Sequence, residues 1–156
     1  MQTNNNNNKK NEIDLKAIFE KNDRTMCDIL LVMIELGKNP EKYNYYGSSK
    51  TDDFWDAVKN EKNIGPLFTN FKANTLKKYW SLVTCVEDID IYIDTVVQYS
   101  WLFDLSKLKL ETIVKSVSFY LTGKILNLEE YVYSKATPKI KPIIRNAIIN
   151  RQKDSK

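Results

Sequence analysis

Side-chain catalysis near neutral pH leans on histidine, and this chain of 156 residues has none. Its absence removes the commonest general base and the commonest transition-metal ligand together. Two cysteines remain, Cys27 and Cys85, each alone inside an apolar helical pattern. Two cysteines without histidine cannot complete a four-ligand zinc site, so both are read as reduced core residues of a reducing compartment. Carboxylates gather at Glu87, Asp88, Asp90 and Asp94. Asp90 and Asp94 stand four apart, on one face of a helix, yet no further ligand or base accompanies them. The run reads first as an ordinary solvated face; of its functional uses, a docking face for a basic partner subunit is favoured over a metal or acid/base site. No catalytic residue, metal, cofactor or small-molecule substrate is expected.

The cations are unevenly placed. Twenty-four Lys and Arg against 20 Asp and Glu give a net charge of +4, a mild bias. The stretch from Lys135 carries Lys139, Lys141, Arg145, Arg151, Lys153 and Lys156 against Asp154 alone, whereas 87–111 holds six acids against Lys107 and Lys109. An acidic middle and a basic end result. Lys139, Lys141, Arg145 and Arg151 could form a phosphate-binding surface, or could simply complement a helix dipole and keep the chain soluble.

Helices must position these groups. Only four Gly and four Pro punctuate the chain, too few turns for an all-β architecture. Residues 1–11 are a polar, Asn-rich tail with nothing to bury, expected to be disordered. A first helical piece, Ile13 to Glu20, sets Ile13, Ala17 and Ile18 on one side; a second begins at a Thr25 N-cap and ends at a Gly37 C-cap. The loop over 37–50 holds Tyr43, Tyr45 and Tyr46 and is expected to pack on the body. Thr51 caps a helix over 51–60, with Phe54, Trp55 and Val58 on its apolar side. Asn63-Ile64-Gly65-Pro66 turns the chain.

The next helix, 73–83, spaces Leu76, Tyr79, Trp80 and Val83 at i, i+3, i+4, i+7, with Asn74 or Thr75 as its cap. Lys77, Lys78 and Ser81 fall away from that stripe. Further helices are predicted over 87–103, 108–121, 128–134 and 138–152. The last has an apolar side of Ile140, Ile143, Ile144, Ala147 and Ile148. Trp101, Phe103, Tyr131 and Tyr133 break the amphipathic stripes, so they either anchor a partner or pack between helices. No window approaches the roughly 18 apolar residues of a membrane span, and no membrane partner is expected.

From Thr25 to Val83 the order is helix, long loop, helix, turn, helix, with Phe54-Trp55-x-x-Val58 and Leu76-Lys77-Lys78-Tyr79-Trp80-x-x-Val83. This resembles the Myb/SANT family and its homeobox-like relatives, in which aromatics of helices two and three pack a three-helix core. The resemblance covers about 60 residues and gives Trp55 and Trp80 the core positions. It also places Lys72, Asn74, Lys77, Lys78 and Ser81 on the groove-facing side of the third helix, where Lys meets phosphate or guanine and Asn meets adenine. The chain departs from the family in a longer first loop, no tryptophan in helix one and few basic residues in helix three. Those departures fit a version that binds protein.

A small Asn- and Lys-rich chain with such a unit is also similar to the non-catalytic subunits of the ciliate DNA adenine-N6 methyltransferase complex. The expected architecture is all-α: a tail over 1–11, a Myb/SANT-like unit over 12–84 and a helical extension over 85–156. The resemblance implies a nuclear, non-catalytic DNA-binding or scaffolding subunit, its partners double-stranded DNA and methyltransferase-like proteins. A helical adaptor that binds only protein is the alternative.

Overall fold

A computed structural model of the chain describes residues 13–106 and 108–154. The Asn-rich tail, Lys107 and Lys156 lie outside them. The fold is all-α, and among the described residues no strand occurs. The helices in order are α1 (Leu15–Phe19), α2 (Met26–Lys38), α3 (Asp52–Asn60), α4 (Ala73–Thr84), α5 (Ile89–Gln98), α6 (Ser100–Ser106), α7 (Leu110–Leu121), α8 (Leu128–Lys135) and α9 (Lys141–Asp154). Short 3-10 turns at Pro40–Tyr43 and Gly65–Phe68 flank α3.

Local chemistry starts these helices. Thr25 and Asp28 form a reciprocal capping box on α2: each side chain accepts the other's backbone N–H. Thr51 caps α3, and Asp52 and Asp53 fall in its first turn, where the helix dipole favours negative charge. Asp88 caps α5 and Asn127 caps α8 through their side chains.

The centre is α2. Leu30, Val32, Met33, Ile34 and Leu36 are wholly inaccessible, because α2 packs against α4, α5, α6 and α7. Each such side chain contributes about 1.5–3 kcal/mol through burial. One cluster of buried residues extends from Ile13 to Ile148, so the segment before Thr84 and the segment after it share a core. Two polar contacts bind this core: the Ser118 hydroxyl donates to the Leu82 carbonyl at 3.0 Å, tying α7 to α4, and the Tyr92 hydroxyl donates to the Val114 carbonyl at 2.9 Å, tying α5 to α7.

The structure corrects several expectations. Gly37 does not end α2; the helix runs to Lys38 with Asn39 as C-cap, and Gly37 is where the Trp80 ring closes on the backbone. Neither Asn74 nor Thr75 caps α4, whose N-cap position is Lys72, without a side-chain bond. The single helix expected over 87–103 is two, divided at Tyr99, whose ring packs against Trp101 and Tyr120. The last helix starts at Lys141, after a turn at Pro138–Ile140.

Side-chain placement differs as well. In α1 it is Leu15, with Ile13 and Ile18, that is buried, while Ala17 is exposed. Tyr45 is buried but Tyr46 is 77% exposed. Cys27 is buried and Cys85 exposed. Ile143, expected on the apolar side of the last helix, is 42% exposed, and Val97 of α5 is 55% exposed.

Candidate nucleic-acid interface

Helix α4 lies between α3 and α7, with α2 behind it. Leu76, Tyr79, Trp80 and Val83 take the buried side, and Trp55 and Trp80 meet at 6.4 Å between ring centroids. What remains outward is a narrow strip: Asn74, Lys78 and Ser81, with Lys72 at its start. Lys77 is bridged to Asp52 of α3 at 3.0 Å, and the Ser81 hydroxyl donates to the carbonyl of Lys77. The strip is flanked by α3 on one side and α7 on the other.

The structure extends this strip across α7 onto α8 with lysines that the sequence did not single out as part of it, beside Tyr131, which was expected to anchor a partner. Lys72 and Lys109 share a cleft of about 490 Å³, into which Phe71, Tyr79 and Glu111 also face. Glu111 faces a second cleft as well, of about 220 Å³, formed with Lys115, Phe119, Tyr131 and Lys135. The Phe119 and Tyr131 rings meet edge-to-face at 6.0 Å. Lys124 stands 5.3 Å over Phe119, and Lys135 stands 5.3 Å over Tyr131. A belt of Lys72, Lys78, Lys109, Lys115, Lys124 and Lys135 results, interleaved with half-buried aromatics.

Two pieces of local geometry build the belt. Lys115 and Phe119 are four apart on α7, and Tyr131 and Lys135 four apart on α8, so each pair shares a helix face. At the end of α7 the chain closes in a Schellman turn. Gly123 adopts φ +80°, its N–H donates to Tyr120, and the Lys124 N–H donates to Phe119 at 2.8 Å. That turn is what returns Lys124 to the Phe119 ring.

Glu111 is the acid between the two clefts. Lys115 donates to it at 2.8 Å and holds its carboxyl below the ordinary carboxylate range, with Lys109 and Lys78 adding to the pull. The same bond raises the Lys115 ammonium.

The cations of α9 are engaged differently. Arg145 makes a two-pronged bond to Glu130, at 2.8 and 3.2 Å, and lies 4.2 Å over the Tyr133 ring. Lys141 covers the same ring at 4.7 Å, and Arg151 stands 5.5 Å over Trp101. These contacts fasten α9 to α8 and α6; Lys139 is exposed. Of the residues expected to anchor a partner, Phe103 is buried at 1% exposure and belongs to the core. Trp101, Tyr131 and Tyr133 are half-buried beneath cations.

No family profile, curated protein or solved structure matches the chain. Among the described residues no group of three or more acidic or cysteine side chains could hold a metal ion, and no helix is long and apolar enough to cross a membrane.

Proposed function

We propose that this chain is a non-catalytic DNA-binding and scaffolding subunit of a nuclear chromatin or DNA-modifying complex. Its resemblance to accessory subunits of a DNA N6-adenine methyltransferase complex names the kind of assembly. The observation that carries the reading is the lysine belt across α4, α7 and α8: Lys72, Lys78, Lys109, Lys115, Lys124 and Lys135, with Glu111 between the two clefts tied to Lys115. Lysines spread over three helices meet successive phosphates of a duplex, a sequence-independent and salt-sensitive mode of binding.

In this reading α2, α3 and α4 form the Myb/SANT-like unit, with Trp55 against Trp80 at its centre. Helix α4 contributes backbone contacts through Lys72 and Lys78, with Asn74 beside them, rather than lying deep in a groove. The half-buried Phe119 and Tyr131 stiffen the lysines that lean on them.

The test is duplex binding by the full chain and by a Lys115→Glu/Lys135→Glu variant. Lys115→Glu sets a like charge four residues from Glu111, a loss of about 0.5 kcal/mol, so helicity should hold and Tm should fall only slightly. The affinity should fall at least about tenfold, while a Lys139→Glu/Lys153→Glu variant should lose less. Equal losses in the two variants would remove the belt from the mechanism.

A further inference from the structure

Helix α5 carries a face of the opposite kind. Ile91 and Val97 are 49% and 55% exposed; six residues apart, they stand about 120° from each other around the helix, with Asp94 between them. Each borders a cleft. One, of about 660 Å³, opens against α1 and α2, with Ala17, Leu31 and Val97 as apolar wall and Asp14 and Asp94 on its rim. The other, of about 540 Å³, lies at the start of α5, where Val86, Ile91 and Leu121 meet Glu87 and Asp88.

Two lysines near this face are engaged, Lys21 with Asp28 at 2.9 Å and Lys38 with Asp90 at 2.7 Å. The clefts are apolar in their floors, and Asp14, Glu87 and Asp88 stand on their rims.

We infer that α5 docks a basic amphipathic helix from a partner protein. Apolar side chains of that helix fill the two clefts, and flanking Lys or Arg meet Asp14, Glu87 and Asp88. Ile91 and Val97 are six residues apart, about 9 Å along the axis, so the partner's anchors stand roughly two turns apart. Charge decides the class of occupant. A duplex would be repelled here, and the chain's own first twelve residues hold Met1 as their only apolar side chain. The inference supplies the scaffolding half of the proposed function and does not depend on DNA binding, since it uses another face with the opposite charge.

The experiment uses the full chain, isotopically labelled, and an 18-residue helical peptide of Leu and Lys with Leu at i, i+3, i+4 and i+7. A twin with Glu in place of Lys is the control. Amide shifts should be confined to α5 and the residues bordering its clefts, and the twin should cause none. An Ile91→Glu/Val97→Glu variant should weaken binding at least tenfold with its Tm unchanged, because both positions are already open to water. Shifts centred elsewhere, or equal affinity for the variant, would overturn the assignment. So would a chain that sediments as a dimer and becomes monomeric in that variant, since the face would then belong to a second copy.

Discussion

The six-membered ring of Trp80 lies 2.7 Å from where a Cβ on Gly37 would stand. No ordinary contact is that short, so the indole of α4 rests on bare backbone of α2. Gly37 is there for this approach, at the expense of about 1 kcal/mol of helix propensity relative to alanine. Gly37→Ala should therefore destabilise, by about 1–3 kcal/mol from overpacking, despite the better helix former. Gly47 has open space around it, and Gly47→Ala should change urea unfolding little. A Gly37→Ala chain more stable than the parent would show that the ring shifts freely.

Thr25 and Asp28 begin the helix on which the core is built. Thr25→Ala should cost about 1 kcal/mol, within the range of lost N-caps, and Thr25→Ser should restore most of it. Chemical denaturation reads both. Asp28 also takes the Lys21 ammonium at 2.9 Å, so Asp28→Ala should cost more than Thr25→Ala.

Alkaline pH should unfold the chain. Burial pushes the Tyr45 hydroxyl from an ordinary value of 10 up to about 12, and Tyr79, Tyr92 and Tyr99 are raised by the same cause. In the unfolded chain these phenols ionise near pH 10, so stability is intact below that value and falls as pH climbs through the folded values. Melting temperature against pH should be level up to about pH 9 and then decline. Tyr45→Phe should make the decline shallower and change stability little at neutral pH, since the Tyr45 hydroxyl is buried with no hydrogen-bond partner.

Helix α9 is held by cations on rings. Lys141 and Arg145 share Tyr133, while Arg151 covers Trp101, each pair contributing about 0.5–1 kcal/mol at such exposure. Tyr133→Ala should speed amide exchange throughout Lys141–Asp154 and leave α2 protected. Uniform loss of protection across both helices would mean that α9 unfolds only with the whole core.

Much of the fold could be read from the sequence because its signals are local. Thr25 and Thr51 announce helix starts, and the stripe Leu76, Tyr79, Trp80, Val83 has one interpretation. The break at Tyr99 had no such signal, since no Gly or Pro marks it and the Tyr120 ring that packs on it comes from α7. Val97 and Phe103 look alike in sequence, yet one faces water and the other the core, because only the arrangement of neighbours decides. The α4 part of the candidate site was legible as polar positions off an apolar stripe. The rest of the belt was not: it forms only when the Gly123 turn folds α8 back along α7 and sets Tyr131 against Phe119. Lys115–Phe119 and Tyr131–Lys135, at four-residue spacing, were the available hints.

The central claim is that duplex DNA lies across the lysine belt, and a salt titration of binding tests it most directly. For the parent chain, log affinity should fall linearly with log salt, with a slope worth several phosphates. Replacing Lys115 and Lys135 with alanine should reduce that slope by about 0.9 for each phosphate that is no longer neutralised. An unchanged slope in the variant, or no binding by the parent at low salt, would contradict the account.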